Sequence, residues 1–206
     1  MSAPAAVGFF SFTEITDPAE HHAYNAWHQL DHMPEQFRIP GVVWGRRWVS
    51  TPACRAARAV SAPPLDPIHY VTLYLMAEPV DDTLRDFYAL GRELSELGRF
   101  HKHRRSHLSG PFRVTGMSAA PRVEVAAEVT PYRPDRGVHV VVTGPAVAPP
   151  LDTIVAAPGV AGAWSFADDR RSITVAWLDD DPLAVADRGH GLLDAPRHHL
   201  RMLDEI

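Results

Sequence analysis

Two observations on this chain of 206 residues predict an α+β fold. The predicted elements follow the order β-α-β-β-α, and the same order occurs twice along the chain. A Pro-Gly turn that leads into an aromatic strand also occurs twice, at residues 39–42 and 157–160. This order is that of the ferredoxin-like unit, whose helices cover only one face of its antiparallel sheet. Because the other face must pack on something, we predict that the two sheets pack face to face into an α+β barrel, with a cavity between them.

The first repeat is predicted to occupy residues 1–118 and to begin with an alternating apolar strand at residues 7–13. A helix then starts at Asp17, because the Asp-Pro-Ala-Glu sequence combines an N-cap, a proline in the first turn and the glutamate of a capping box. We expect this helix to run to about Met33. Pro34 removes a backbone donor and crowds the preceding turn, so a kink or break is expected just before it.

The other elements of the first repeat are predicted from periodicity and turn residues. They are a strand at 42–50, a loop at 51–67, a strand at 68–76, a helix from 81 to about 101 and a further strand at 112–117. Alternation in the second of these strands places Tyr70, Thr72, Tyr74 and Met76 on one face. This face is the more polar one, so we expect it to line the cavity between the sheets.

A connector at residues 119–136 is predicted to lead into a shortened second repeat at 137–206. Its predicted elements are strands at 138–143, 161–167 and 172–178, a helix at 151–156 and a last helix that begins at residue 181. Each repeat is small for an independent domain. The sequence therefore predicts two units of one barrel, in which an internal pseudo-dimer takes the place of two chains.

Composition excludes several classes of protein. Hydrophobic residues make up 46% and charged residues 22% of the chain, as in ordinary globular proteins, and no apolar run has the ~18 residues of a membrane helix. The net charge of −5 disfavours nucleic-acid and membrane partners. Cys54 is the single cysteine, which excludes disulfide scaffolds, and the first residues lack a signal-peptide pattern. We expect a cytoplasmic protein that is a monomer or a homodimer.

Three short segments of the first repeat carry a resemblance to a known family. They are Tyr-Asn-Ala-Trp-His-Gln-Leu-Asp-His-Met-Pro-Glu at 24–35, Ile-Pro-Gly-Val at 39–42 and Arg-Arg-Trp at 46–48. Together they resemble the "W-x-x-x-H-x-P … P-G" signature of EthD-like members of the dimeric α+β barrel superfamily. The resemblance covers about residues 7–100, with His32 on the signature histidine and Trp27 at or next to its aromatic position. It implies the fold more than the activity, because the superfamily includes cofactor-free monooxygenases, cyclases, isomerases and haem enzymes.

The histidines of the first helix are the candidate catalytic residues. On a regular helix His28 and His32 lie within about 40° of each other, at the edge of an apolar arc that includes Ala26 and Leu30. We hypothesise that His32 is a general acid/base, with His28 or Asp31 as its partner, because imidazole suits proton abstraction next to a carbonyl or phenol. The alternative is that His32 hydrogen-bonds the carbonyl freed by the proline and that His28 is solvated. The predicted ligand-binding residues are Tyr24, Trp27, Tyr70, Thr72, Tyr74 and Trp48.

Three hypotheses for function follow. The first is an enzyme without a cofactor that binds a small apolar or aromatic molecule and catalyses an isomerase, cyclase, lyase or cofactor-free oxygenase step. The second is a non-catalytic ligand-binding or structural protein. The third is a haem or metal protein, in which Asp31 or Glu35 would complete the ligands of the two histidines. There is no HExxH motif, since Gln29 stands at the glutamate position, and we predict no bound metal. A basic run at residues 99–107 is expected to end the second helix, where cations favour its dipole.

Overall fold

The computed structural model describes residues 4–144, 149–188 and 198–203, the last of these by backbone alone. In chain order the strands are β1 (Ala5–Ile15), β2 (Val42–Val49), β3 (Tyr70–Ala77), β4 (Arg104–Ala119), β5 (Gly137–Thr143), β6 (Val160–Ala167), β7 (Ser172–Leu178) and β8 (His198–Leu203). The α-helices are α1 (His21–Trp27), α2 (Met33–Gln36), α3 (Pro52–Ala56), α4 (Val80–Glu96), α5 (Leu151–Val155) and α6 (Pro182–Arg188). Short 3-10 helices lie at Pro18–Glu20, Pro121–Val123 and Ala127–Tyr132.

The strands form one closed antiparallel barrel in the order β1-β3-β2-β8-β5-β7-β6-β4. Within it the first four strands are ordered β4-β1-β3-β2 and the last four β8-β5-β7-β6, so both halves have the strand order of a ferredoxin-like unit. The halves meet where β4 pairs with β6 and where β2 pairs with β8. The predicted α+β barrel of two ferredoxin-like halves is confirmed. Each half also has a fourth strand, β4 or β8, which forms the junction with the other half.

Side chains from both sheets occupy the barrel interior. An eight-stranded barrel leaves an interior just wide enough for side chains to fill. The members of this core with the least exposure are aromatic and aliphatic, and they include Phe10, Phe12, Trp48, Val71, Leu73, Leu75, Phe112, Val138, Val140, Trp164, Phe166, Ile173, Val175 and Trp177. The face of β3 that enters the barrel is therefore the aliphatic one. Its opposite face, predicted to line a cavity between the sheets, points outward to the helices of the first half.

The first helical segment continues through Pro34 instead of breaking there. Asp17 caps it as predicted, since its side chain accepts a hydrogen bond from the backbone N–H of Ala19 at 3.0 Å. Between α1 and α2 the chain forms a π-helical turn, His28–His32, and the N–H of Met33 donates to the carbonyl of His28. Such single π turns are wider than an α turn and often occur at functional sites. The wider turn accommodates the proline, so the segment runs on to Gln36.

Two further boundaries differ from the predictions. The predicted loop at 51–67 contains α3, whose N-cap Thr51 accepts a hydrogen bond from the N–H of Cys54. Helix α4 ends at Glu96, and residues 104–107 of the basic run lie in β4 and not at a helix end. No helix in the described part of the chain is long and apolar enough to cross a membrane.

Candidate functional site

A cavity of about 220 Å³ lies between the outer face of the first sheet and the helices that cover it. Its walls are contributed by β1, β3, the start and middle of β4, the first helical segment and α4. The aromatic lining residues are Phe9, Tyr24, Trp27, Tyr74, Phe87, Tyr88 and Phe100. The others are Ser11, Thr13, His28, His32, Gln36, Thr72, Gly91, Arg104 and Ser109. The structure thus places the cavity outside the barrel, in the first half of the chain.

His32 lies in the π-helical turn and faces this cavity. Its ring stacks on Trp27, with centroids 4.6 Å apart and planes 21° apart, and contacts Phe100 at 5.4 Å. Within the described ranges neither ring nitrogen of His32 makes a hydrogen bond. Burial, followed by the nearby positive charge of Arg104, lowers the pKa of His32 to about 4. At neutral pH the ring is therefore uncharged, and it has a lone pair free to accept a proton.

His28 is more deeply buried than His32 and contacts the sheet. Only 3% of the residue is exposed, and its Nε2 lies 3.3 Å from the hydroxyl oxygen of Thr72. Its Nδ1 is buried and has no hydrogen-bond partner in the described structure. Burial is the main cause that holds the pKa of His28 well below its ordinary value, and Arg47 adds to it. The ring centroids of His28 and His32 are 5.6 Å apart, so two neutral imidazoles lie side by side.

The first helix is rotated relative to the predicted apolar arc. Leu30, which was expected to face the core, is 77% exposed, and Ala26 is exposed as well. Tyr24 and His28 are buried in their place. The sheet face beneath the helix has Thr72 and several aromatic rings, so a tyrosine and a histidine bury more ring surface there and retain a polar partner.

Two phenols complete the deep part of the cavity. Tyr24 is 1% and Tyr74 is 3% exposed, and burial raises the pKa of both phenols. The hydroxyl of Tyr74 is buried and has no hydrogen-bond partner among the residues described. A neutral phenol in this position can donate a hydrogen bond to a ligand. Buried polar groups without a protein partner are rare, so this hydroxyl is available to a water molecule or to a ligand.

Positive charge enters the site from two strands. Arg47 on β2 is 8% exposed, donates to the side-chain oxygen of Asn25 and lies over the rings of Tyr70 and Tyr24, at 4.8 and 5.4 Å. Arg104, the first residue of β4, lies over Phe100 at 5.2 Å. Its guanidinium also donates to the hydroxyl of Ser106 at 2.9 Å.

Five of the six predicted ligand-binding residues lie on the helical side of the first sheet, and four of those line the cavity. These four are Tyr24, Trp27, Thr72 and Tyr74. Tyr70 instead connects helix and sheet, since its hydroxyl oxygen accepts from Asn25 at 3.2 Å and lies 2.9 Å from Nδ1 of His21. Trp48 lies in the barrel interior, 1% exposed, and donates to Asp135 at 3.2 Å.

Asp31, the predicted partner of His32, binds another residue. Its carboxylate accepts a hydrogen bond from Arg99 at 2.5 Å, and Arg99 also reaches Glu35 at 3.1 Å. These ion pairs are partly exposed and lie beside the cavity, not in its lining. The two carboxylates that could complete a metal site with the histidines are thus held by an arginine.

Another trio of possible metal ligands is near the start of the first helical segment. Asp17, Glu20 and His103 have ligand atoms within 4.8 Å of one another and are half-buried. Asp17 is occupied as an N-cap, and Glu20 lies 3.4 Å from His101. Capping and ion pairing therefore account for these acidic side chains.

Several lining residues were not predicted from sequence. Ser11 and Thr13 lie on the same face of β1 as Phe9, so alternation in that strand contains the signal that would have found them. Arg104 belongs to the basic run that was predicted to end the second helix. Because α4 ends earlier, at Glu96, Arg104 instead begins β4, where it lines the cavity. The aromatic lining residues of α4, Phe87 and Tyr88, occupy positions that helical periodicity alone assigns to the core of the protein.

Comparison with known proteins defines the class of this chain by fold. No family model matches it, and no curated protein matches it. A solved crystal structure, named "Putative Chlorite dismutase", is similar, with a TM-score of 0.54 and 11% sequence identity. The match covers 97% of this chain and 96% of that chain, so it extends over both halves of the barrel. At this identity the likeness shows the fold alone: an α+β barrel built from two ferredoxin-like halves.

Proposed function

We propose that this protein is an enzyme that abstracts a proton from a small aromatic substrate, with His32 as the general base. The observation that carries the proposal is the state of His32: a neutral imidazole, without a hydrogen-bond partner in the described structure, that faces an aromatic cavity. A general base must be unprotonated and within reach of the substrate, and it is most effective when its pKa lies near the working pH. A negative charge beside an imidazole raises its pKa, so a substrate that becomes anionic beside His32 would raise the pKa of this residue from about 4 toward that range. The resemblance of this segment to the EthD-like signature, with His32 on the signature histidine, supports a functional role for this residue.

The size of the cavity supports a substrate with a single ring. A buried cavity of roughly 150 Å³ is enough to hold benzene. The 220 Å³ found here therefore has room for one aromatic ring with a few substituents. Phe87, Phe100 and Trp27 supply ring surfaces that pack against such a substrate.

The reaction we propose begins with transfer of a proton from a carbon or phenol oxygen of the substrate to His32. The electron pair of the broken bond stays on the substrate as an enolate or phenolate. A hydrogen bond from the neutral hydroxyl of Tyr74 and the charge of Arg104 stabilise that oxyanion. Return of the proton to a different atom completes an isomerisation. In a ring closure the enolate carbon first adds to a carbonyl carbon of the same molecule, and the proton then goes from His32 to the alkoxide oxygen that this addition forms. If dioxygen is the co-substrate, the same anion is the electron-rich species that reacts with it.

The cavity does not fit the haem alternative. Its volume is below the roughly 300–1,000 Å³ of pockets that hold drug-sized ligands, and a porphyrin is larger than those ligands. The ring centroids of His28 and His32 are also only 5.6 Å apart, and both rings pack against aromatic neighbours. A Soret band in the absorption spectrum of the purified protein would contradict this conclusion.

Solvent-deuterium exchange tests the proposal without knowledge of the natural substrate. A panel of monocyclic aryl ketones would be incubated with the protein in D₂O, and exchange next to the carbonyl followed by NMR. We expect catalysed exchange with at least one compound and a loss of about 100-fold or more in His32→Ala. His22→Ala is the matched control, since His22 is exposed on the same helix. Equal exchange by the His32→Ala protein would overturn the proposal, and retention of a bound ligand without any exchange would favour a binding protein.

A further inference from the structure

The lining of the cavity has a charge imbalance. Among the described residues it includes neither an aspartate nor a glutamate, and Arg104 is the one with a permanent charge. The histidines in the lining are neutral at pH 7, because burial lowers the pKa of each. A half-enclosed space with one cation and no anion favours a ligand that brings a negative charge.

The acidic side chains near Arg104 are engaged by other bases. Glu14, which pairs with β4 one position further on, contacts His107 at 2.8 Å and Arg105 at 3.7 Å. Asp31 is held by Arg99. Within the described ranges Arg104 makes no ion pair. Its partners in the described structure are a serine hydroxyl and the ring of Phe100, which orient the guanidinium without neutralising it.

A second cation lies behind the wall of the cavity. Arg47 is opposite Thr72 in the β2–β3 pairing, and Thr72 is the residue that contacts His28. Arg47 is almost fully buried. Its neighbours are an amide oxygen and two aromatic rings, and its Nε has no hydrogen-bond partner in the part of the chain described. Burial of a guanidinium without a carboxylate is costly, and a bound anion at the adjacent site would reduce that cost.

We infer that the cavity selects aromatic molecules with an anionic oxygen, a carboxylate or a phenolate, and that Arg104 is the residue that binds this oxygen. The inference rests on the proposed function for the location of the site and names its substrate class. The aromatic side chains contact the ring of the ligand. The planar N–H groups of the Arg104 guanidinium donate hydrogen bonds to its charged oxygen. Arg47 adds favourable potential from the same face of the sheet, where it lies over Tyr24 and Tyr70.

Benzoate and benzamide test this inference, because they have nearly the same shape and differ in charge. Binding would be measured at pH 7 by calorimetry or by ligand-observed NMR. We expect the dissociation constant of benzoate to be at least tenfold below that of benzamide. Arg104→Gln should remove this preference and leave benzamide binding within about twofold. Arg105→Gln is the control, since Arg105 is an exposed neighbour paired with Glu14.

Equal binding of the two probes, or binding of neither at millimolar concentration, would overturn the inference. An equal effect of Arg105→Gln would also overturn it, because it would show a general surface field instead of a specific contact. A comparison of benzoate with 4-nitrophenolate would show which anionic oxygen is preferred. His32→Ala separates this inference from the proposed catalysis: it should abolish proton exchange and keep the preference for benzoate. If the His32→Ala protein keeps both the proton exchange and the preference for benzoate, the catalytic proposal is overturned and the inference about the anionic ligand stands.

Discussion

The two halves of the barrel share one interior and differ in the layer outside it. On the first half, the outer face of β3 has Tyr70, Thr72, Tyr74 and Met76, and the 17-residue helix α4 lies against it. On the second half, the corresponding face of β7 has Thr174, Ala176 and Leu178. The five-residue helix α5 packs there with Ile154 and Val155 against alanines of the sheet.

This difference shows that strand order alone does not make a site. Small side chains at Ala163 and Ala176 let a short helix pack on the second sheet, with a core cluster of its own between the two layers. The open space in this half lies beside that cluster, between α5 and the end of β4, and has no aromatic or histidine side chain in its lining among the described residues. Large aromatic side chains on the first sheet hold α4 and the first helical segment further out, and the gap between them is the cavity.

The largest effect is expected in the shared interior. Phe10 and Phe166 come from different halves, are fully buried and have ring centroids 5.0 Å apart. Replacement of either by alanine should reduce the free energy of unfolding by about 3–5 kcal/mol. The double variant should lose less than the sum, by about 0.5–1.5 kcal/mol, because the two rings contact each other. Urea unfolding of all four proteins measures both quantities, and strict additivity would argue against one common core.

Acid should destabilise the first half. The pKa of His32 is about 4 in the folded protein and near 6.5 when unfolded, and the pKa of His69 is also lowered to about 4. The unfolded chain therefore binds protons first, so the stability that these residues contribute is present above pH 6.5 and is lost as the pH falls toward 4. For His32 the linked loss is up to about 3 kcal/mol.

His32→Gln should show a smaller loss of unfolding free energy than the wild type between pH 7 and pH 4.5. Urea titrations at the two pH values give the comparison. His22→Gln is the control, and its loss should equal that of the wild type. A His32→Gln protein as acid-sensitive as the wild type would contradict a neutral, buried imidazole at this position.

Replacement of glycine by alanine should change the free energy of unfolding in opposite directions at two positions. A Cβ at Gly91, in the middle of α4 beside the cavity, would meet no atom within 4 Å. A Cβ at Gly162, in β6, would lie 2.5 Å from the side chain of Thr130 and 3.0 Å from the backbone oxygen of Ser118. Gly162→Ala should cost about 1–3 kcal/mol by overpacking. Gly91→Ala should add about 0.5–1 kcal/mol through helix propensity. Thermal unfolding would show both, and a destabilised Gly91→Ala protein would mean that the cavity wall is closed there.

The smallest effect is expected at the ion pairs beside the cavity. Asp31 and Glu35 share Arg99 on the surface, where side-chain exposure screens the charges. Asp31→Asn should change the unfolding free energy by less than about 1 kcal/mol. It should also leave proton exchange within a few-fold of wild type, because Asp31 does not line the cavity. A loss of exchange comparable to that of His32→Ala would show that the carboxylate takes part in the proton transfer.

The repeated order of elements was enough to predict the barrel, because alternation and Pro-Gly turns are local signals. Alternation also assigned Thr72 and Tyr74 to one face correctly. It could not decide which face enters the barrel, since that depends on how well each face packs against a second sheet. The turn at His28–His32 was beyond local rules as well. The N–H of Met33 donates to the carbonyl of His28 in place of the regular α-helical hydrogen bond. A helical wheel drawn for a regular α-helix therefore misplaces Leu30, which lies in this turn.

The order in which the barrel closes has a consequence for synthesis of the chain. Strand β8 lies between β2 and β5, and among the described strands it is the last to be synthesised. Until it docks, the first half has an unpaired edge at β2 and the second half one at β5, each able to pair with another copy. Its contact with β2 is short, a single register pair of Val49 with Leu203 in the described structure. Expression of this protein should therefore be sensitive to truncation before Leu203, even though the cavity lies wholly in residues made much earlier.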